Sequence, residues 1–308
     1  MKNMKVFIVT YRRVDILNKT LDTLFNKTDF GSIPNTEVII INNHSEFILN
    51  DEFEDKVTVL HNNTRPDWDT GNLARNWNEA LLHGFKNLNE PDAKIVVTMQ
   101  NDIVLDPNWT KNLLKMHQKY TFITGQLGDN IVSYLPEAVK KIGMWDERFL
   151  TPANKEADYY IRALIYNKDK SLINDRVHGR LLNAHDALPL DTSEYQGGEP
   201  SWREIKSNEI SKEGWFHTSQ IFYWKWKDTW KTQPQYYGWL TRWSADFVEN
   251  PPSPPKVPNF VQYYYFERDM DLKDKNYIGW REGDLWLDGG KECDIDVHPF
   301  KENERFRK

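Results

Sequence analysis

Four short apolar segments of the chain each end in side chains that can bind a polar, anionic ligand. The segments are residues 5–10, 37–41, 57–60 and 94–99, and all contain several β-branched residues. The polar residues at their ends are Thr10, Tyr11, Arg12 and Arg13; Asn42, Asn43 and His44; Asn62, Asn63, Thr64 and Arg65; and Gln100, Asn101 and Asp102. Any one of these groups is compatible with an ordinary loop. Together, their hydroxyl, amide and guanidinium groups predict a composite binding site.

The spacing of apolar residues predicts the elements that bring these groups together. Leu17, Leu21 and Leu24 follow the first segment at helical spacing, and Leu73 and Trp77 begin a similar pattern before the fourth. Strands of this kind alternating with helices are typical of an α/β fold with a mainly parallel sheet flanked by helices. In such open sheets ligands bind beyond the carboxyl ends of the strands, so all four groups are expected at one edge.

Composition excludes several classes of protein. The 308 residues can form one or two packed units. Forty Lys and Arg against 46 Asp and Glu give a net charge of −6, so general binding to nucleic acid is not expected. The single cysteine, Cys293, excludes an internal disulfide framework and a zinc cluster.

Targeting segments are also not expected. The first apolar run is too short for a signal peptide, and no segment approaches the roughly 20 apolar residues of a membrane span. We therefore expect a cytoplasmic protein, although peripheral attachment to a membrane, or the host-cell cytosol during viral infection, fits the same observations.

The composition changes beyond residue 195. Nine of the 13 tryptophans follow residue 200, and residues 251–258 are rich in proline. Such a proline tract predicts an extended connector rather than a helix or a central strand. We therefore divide the chain into an α/β domain of residues 1–195 and an aromatic-rich C-terminal region of residues 196–308.

Six motifs, in order, resemble those of the GT-A glycosyltransferases, most closely the family 2-like group. The first strand ends in Thr-Tyr-Arg, and the second ends in Asn-Asn-His-Ser, where the family has Asp-Asp-Gly-Ser. Residues 71–76 are similar to the start of a helix in the family, which has a glycine followed by Ala-Arg-Asn. Residues 100–102 occupy the place of the Asp-x-Asp metal motif, and residues 143–149 and 155–162 resemble the segments Gly-x-Phe-Asp-Glu-x-Phe and Glu-Asp-x-Asp-x-x-x-Arg. The resemblance covers roughly residues 4–190.

The resemblance implies a Rossmann-like GT-A fold and a glycosyltransferase. The implied reaction moves a hexose or deoxyhexose from a nucleotide diphosphate sugar, with UDP as the expected nucleotide, to a glycan hydroxyl with inversion. A non-catalytic carbohydrate-binding protein on a degenerate GT-A fold is the alternative. A nucleotidyltransferase on a related sheet is disfavoured, because the loop after the first strand has no glycine.

The resemblance also implies the residues that bind the nucleotide. They are Thr10, Tyr11, Arg12, Asn42, Asn43, Gly71, Arg75 and Asn101. Arg75 can hold a diphosphate oxygen with its planar guanidinium or serve as a structural ion-pair partner. Asn42 and Asn43 replace the acidic pair that reads uracil and ribose in the family, which leaves the preferred base open.

A divalent cation, Mn²⁺ or Mg²⁺, is implied as the cofactor, since it stabilises the leaving diphosphate. Asp102 is the expected ligand, and the resemblance implies a downstream histidine, His185, as a second. Both also have structural alternatives, a turn for Asp102 and a core histidine for His185. Gln100 departs from the metal motif, where the family has an aspartate, and an amide oxygen is the weaker ligand.

Inverting transfer needs a carboxylate that accepts the proton of the acceptor hydroxyl. Glu156 aligns with the family's catalytic acid, and Asp158 is expected to bind or orient the acceptor hydroxyl. Two residues correspond to about 200° of helical turn, so both side chains reach one point only from an irregular first turn. The alternative is that both acids complement the helix dipole and Asp158 pairs with Arg162.

Trp224 and Trp226 lie in a segment similar to a Tyr-x-x-Lys-Trp pattern that follows the core in some relatives. Alternation along a strand would put both indoles on one face, as a platform for an acceptor glycan. The alternative is that these aromatic residues cover a second, thin core.

Overall fold

The computed structural model describes residues 1–11, 13–44, 47–62, 73–124, 131–149 and 155–166, together with Lys225 and residues 259–260 and 277–278. The strands are β1 (Lys2–Thr10), β2 (Thr36–Asn42), β3 (Thr58–His61), β4 (Ala93–Gln100), β5 (Phe122–Thr124), β6 (Ile131–Tyr134), β7 (Asn259–Phe260) and β8 (Tyr277–Ile278). The α-helices are α1 (Val14–Asp22), α2 (Asp51–Glu54), α3 (Leu73–Phe85), α4 (Trp109–His117), α5 (Pro136–Ile142) and α6 (Lys155–Tyr166). A π-helical turn, Thr23–Lys27, continues α1, and a 3-10 turn spans Phe30–Ser32.

The main sheet has the strand order β3-β2-β1-β4-β6-β5. The first four strands in this order are parallel, while β6 runs antiparallel to both β4 and β5. Thr10 pairs with Asn42, and Val9 pairs with Gln100. The ends of β1, β2 and β4 are therefore level, and the mainly parallel α/β sheet predicted from the sequence is confirmed.

The apolar content of the central strands determines this arrangement. Residues 4–10 of β1 are all buried, because helices cover both faces of the sheet. Helix α3 buries Trp77, Leu81 and Phe85, which agrees with the helical spacing of its apolar residues. Gly84 in the same helix lies so close to Val96 of β4 that an added Cβ would clash with the Val96 Cγ2.

The two helices nearest the active-site motifs have clear termini. Pro136 stands in the first turn of α5, where proline is common, and Gly143, with a φ of 89°, ends the helix. Helix α6 begins at Lys155.

A half-buried histidine links α4 to β6. His117, the last residue of α4, contacts the Tyr120 carbonyl through Nδ1 at 2.9 Å and the Ser133 hydroxyl through Nε2 at 2.7 Å. A carbonyl oxygen only accepts, so Nδ1 carries the proton and Nε2 accepts from Ser133. Burial lowers the pKa of His117 to about 4, which keeps the ring neutral at pH 7.

Among the described helices, none is both long and apolar enough to cross a membrane. The predicted boundary near residue 195 and the proline tract fall outside the described residues. The division into two domains therefore stays a prediction.

Candidate active site

Hydrogen bonds join the ends of β1, β2 and β4 into one polar cluster. The Asn101 side chain donates from Nδ2 to the Thr10 hydroxyl at 3.0 Å, and the Asn43 backbone N–H donates to the Thr10 carbonyl at 3.0 Å. All three residues are buried. Three of the residue groups that the sequence assigned to one edge are thus in contact there.

The turn after β2 is held by its asparagines. Asn42 donates from Nδ2 to the His44 carbonyl at 2.6 Å and accepts from the His44 N–H at 3.1 Å, and its Nδ2 also lies 3.2 Å from His61 Nδ1. Asn43 accepts from Asn62 Nδ2 at 3.2 Å. The side-chain amides that replace the family's acidic pair therefore connect the ends of β2 and β3.

Glu79 and Tyr11 also contact this turn. Asn62 also donates to Glu79 of α3 at 2.8 Å, and the Tyr11 ring meets the His44 ring edge-on, with centroids 5.3 Å apart. Sequence reasoning singled out Tyr11 but not His61 or Glu79. For Glu79, the available signal was its position four residues after Arg75, which places both side chains on one face of α3.

Asp102 follows directly on this polar cluster and is 6% exposed. Its carboxylate oxygens are hard donors, which suit Mg²⁺ or Mn²⁺, and a diphosphate supplies further oxygens to such a cation. Within the described ranges, no three His, Cys, Asp or Glu side chains are grouped so as to hold a metal ion by themselves. A single buried carboxylate beside the strand-end cluster is a donor that suits a cation whose other ligands include diphosphate oxygens.

Arg75 takes part in a bridge between α3 and the segment after α5. Its Nε donates to Glu147 Oε2 at 3.1 Å, and Asn78 donates to Glu147 Oε1 at 2.8 Å. Asn78 also pairs with both backbone groups of Trp145, at 2.9 and 2.8 Å. The ion pair considered as an alternative for Arg75 is present, while 26% of the Arg75 side chain stays exposed.

A buried ionic cluster joins α6 to the segment after α5 and to Lys225. It consists of Asp146, Arg148, Asp158, Arg162 and Lys225, and no side chain in it is more than 3% exposed. Lys225 Nζ lies 2.9 Å from Asp146 Oδ2 and 2.6 Å from Asp158 Oδ1. Arg162 Nε lies 3.0 Å from Asp158 Oδ2, so both oxygens of Asp158 are held in ion pairs.

The pKa values in this cluster reflect a competition between burial and charge. Burial acts to raise the pKa of Asp146, but the nearby cations Arg148 and Lys225 outweigh it and hold the pKa below its ordinary value. Burial lowers the pKa of Lys225, against the opposing effect of Asp146 and Asp158. The cluster therefore depends on every charge having a partner.

Glu156 differs from Asp158 in its exposure. Its side chain is 18% exposed, against 1% for Asp158. The buried Lys155 ammonium lies 3.5 Å from Glu156 Oε1. Of the two predicted carboxylates in the first turn of α6, Glu156 is thus the one that keeps contact with solvent.

The remaining predicted site residues lie outside the described residues. They are Arg12, Gly71, His185, Trp224 and Trp226. Lys225, between the two tryptophans, is described, and its burial against Asp146 and Asp158 is a contact that sequence reasoning did not predict.

The sequence profile of the family described as glycosyl transferase family 2 matches residues 5–170. The chain belongs to this family. The matched range includes β1 to α6 and with them the strand-end cluster, Asp102 and Glu156. The resemblance to the family 2-like group of GT-A glycosyltransferases is therefore confirmed.

Two solved structures illustrate the similarity of this family 2 chain to known proteins. Residues 1–349 of TarS from S. aureus are 13% identical with a TM-score of 0.38, and the match covers 54% of this chain and 56% of that one. The mannosyltransferase PcManGT from Pyrobaculum calidifontis, in complex with GDP-Man and Mn²⁺, is 13% identical with a TM-score of 0.36 and coverages of 53% and 51%. The match thus spans a little over half the length of either structure. No curated protein matches the chain.

Proposed function

We propose that the protein transfers a hexose or deoxyhexose from a nucleoside diphosphate sugar, linked to UDP, to a hydroxyl of a glycan, with inversion. The observation that carries this proposal is the hydrogen-bonded cluster at the ends of β1, β2 and β4, with Asp102 beside it. Ligands of open α/β sheets bind at this edge. Membership in family 2 supports a nucleotide sugar as that ligand.

The donor would be bound by the strand ends. The amides of Asn42 and Asn43 can hydrogen-bond uracil and ribose, and Thr10, Tyr11, Arg12, Gly71 and Asn101 are assigned to the same nucleotide. Arg75 would contact a diphosphate oxygen with its guanidinium, because 26% of its side chain is exposed while Glu147 holds its Nε. A free arginine would lose more side-chain entropy on binding, so the ion pair with Glu147 also favours this role.

Asp102 and His185 would hold Mn²⁺ or Mg²⁺. When bound, the cation neutralises negative charge that develops on the leaving diphosphate.

Glu156 is assigned as the general base. Its carboxylate accepts the proton of the acceptor hydroxyl while that oxygen forms a bond to the anomeric carbon. The bond from the anomeric carbon to the diphosphate breaks on the opposite face, and the diphosphate leaves with the electron pair. A base must reach the acceptor, and the partial exposure of Glu156 meets this requirement.

Asp158 would orient α6 rather than contact the acceptor, because both of its oxygens are in buried ion pairs. Trp224 and Trp226 are assigned to the acceptor glycan, whose C–H faces pack on indole rings.

Calorimetric titration of UDP and GDP, each with and without Mn²⁺, tests the donor site. We expect the wild type to bind UDP more tightly than GDP and in a Mn²⁺-dependent manner, and Asp102→Asn to lose that dependence. Asp106→Asn is the matched control, because Asp106 stands in the same loop and, within the described ranges, its side chain accepts from the local Asn108 N–H at 2.8 Å. Tight binding of GDP without binding of UDP would contradict the assignment of uracil as the preferred nucleobase.

Glu156→Gln separates catalysis from binding. We expect unchanged UDP affinity and a loss of donor turnover of roughly 10²- to 10⁴-fold, the usual contribution of a general base. Glycan binding that needs no nucleotide, without turnover of any donor by the wild type, would instead establish the non-catalytic carbohydrate-binding alternative.

A further inference from the structure

One buried hydroxyl holds the backbone on both sides of Asp102. Thr20 of α1 donates from Oγ1 to the Asn101 carbonyl at 2.7 Å, and the same oxygen accepts from the Ile103 N–H at 3.2 Å. Thr20 is 0% exposed. The residue between these two contacts is Asp102.

The position of this contact in the sheet gives it importance. Strand β4 ends at Gln100, so ladder hydrogen bonds no longer fix the chain when it reaches Asp102. The Asn101 side chain is bound to Thr10, while its carbonyl is bound to Thr20. Asn101 is therefore bound both by Thr10 of β1 and by Thr20 of α1. Of these two threonines, Thr20 is the one that also binds Ile103, the residue after Asp102.

A second threonine provides a natural comparison. Thr23, three residues later, is also buried and accepts from the Leu105 N–H at 3.5 Å, while donating to the Thr20 carbonyl at 2.9 Å. Its contact with the loop is longer and lies three residues beyond Asp102. The two hydroxyls thus differ in how strongly they hold the loop and in how close their contacts lie to Asp102.

We propose that Thr20 is a positioning residue for Asp102, and that its hydroxyl sets the affinity of the donor site for the divalent cation. This inference rests on the proposed function. A valine at position 20 has the shape of threonine but would leave the Asn101 carbonyl and the Ile103 N–H without this partner. The loop must then shift to find other partners, because buried backbone groups are costly to leave unbonded. Asp102 moves with it.

The test is calorimetric titration of UDP at a series of Mn²⁺ concentrations, with a melting temperature measured for each variant. Thr20→Val should need roughly 10- to 100-fold more Mn²⁺ than wild type for half of the full gain in UDP affinity, as is usual when a residue that orients a metal ligand is removed. Binding of UDP without Mn²⁺ should change little. Thr20→Ser keeps the hydroxyl and should restore the wild-type Mn²⁺ requirement.

Thr23→Val is the matched control for a purely structural effect. It should lower the melting temperature but leave the Mn²⁺ requirement as in wild type. Equal Mn²⁺ requirements for Thr20→Val and Thr23→Val, or a wild-type requirement in Thr20→Val, would overturn the proposal. If Thr20→Val does not fold, Thr20→Cys replaces it, because a thiol is a weaker donor and acceptor and should give an intermediate requirement.

The wild-type titration separates the two proposals. Nucleotide binding without any dependence on Mn²⁺ would contradict both the metal-assisted function and the role of Thr20. Mn²⁺-dependent binding that Thr20→Val leaves unchanged would contradict the role of Thr20 alone.

Discussion

The charges of the buried ionic cluster predict how two neutralising substitutions, Asp158→Asn and Lys225→Met, differ in their effect on the free energy of unfolding. Among the described residues, the cluster holds two carboxylates, those of Asp146 and Asp158, and three cations, which gives a charge of 3 − 2 = +1. Asp158→Asn leaves three cations and one carboxylate, a charge of +2. Lys225→Met leaves two of each and a charge of zero.

The charge count determines the order of the two effects. In Asp158→Asn, Lys225 and Arg162 each lose an ion pair of 2.6 or 3.0 Å while fully buried. Breaking buried pairs in this way costs about 3–5 kcal/mol in the free energy of unfolding. In Lys225→Met each carboxylate keeps one guanidinium, Arg148 or Arg162, so the cost should be about 1–3 kcal/mol, near that of an unsatisfied buried group.

The assay is urea unfolding, with scanning calorimetry as a second measure. At about 2–4 °C per kcal/mol for a domain of this size, Asp158→Asn should lower the melting temperature by roughly 10 °C. Asp22→Asn is the control, since its pair with Lys27 at 3.4 Å is exposed and should contribute less than about 1 kcal/mol. A larger loss for Lys225→Met than for Asp158→Asn would refute the charge-balance reasoning.

Three further predictions concern the core. The pKa of His117 is about 4 in the folded protein and 6.5 ordinarily, so the unfolded chain binds more protons between these values. The free energy of unfolding should therefore be retained above pH 6.5 and fall by about 2 kcal/mol from pH 7 to pH 5. His117→Gln should largely remove this pH dependence, measured by urea unfolding at each pH. Gly84→Ala should destabilise by about 1–2 kcal/mol in thermal unfolding, because overpacking against Val96 outweighs the gain in helix propensity; adding Val96→Ala should recover part of the loss. Trp109→Phe removes a 3.0 Å hydrogen bond from Nε1 to Thr28 and should cost about 1 kcal/mol, measured by urea unfolding.

Sequence reasoning predicted the parallel part of the sheet because the segments themselves carry the signal. Strands β1, β2 and β4 are runs of β-branched residues long enough to be distinguished from helix, and helical spacing between them requires crossovers. The antiparallel β5 and β6 were not predicted. They are only three and four residues long, and nothing in such a short apolar run indicates its direction or its neighbour in the sheet.

The same distinction applies to the candidate site. Residues at or just after the strand ends, such as Thr10, Asn43 and Asn101, could be assigned to one edge because strand ends share a position in any parallel sheet. The contacts of Lys225 could not be predicted, because they join residues 79 positions apart in sequence. A lysine between two tryptophans has no pattern that distinguishes a buried ammonium from an exposed one.

Burial separates two carboxylates that the sequence presents as a pair. Asp158 and Arg162 are four residues apart, and the helix places them side by side, where they pair in the buried cluster. Glu156, about 200° away from Asp158 around the helix, cannot reach the same partners. One helical turn therefore supplies a carboxylate that fixes α6 and another that is exposed enough to accept a proton. The spacing Glu-x-Asp-x-x-x-Arg produces this division because the pair at i, i+4 selects which face of the helix is buried.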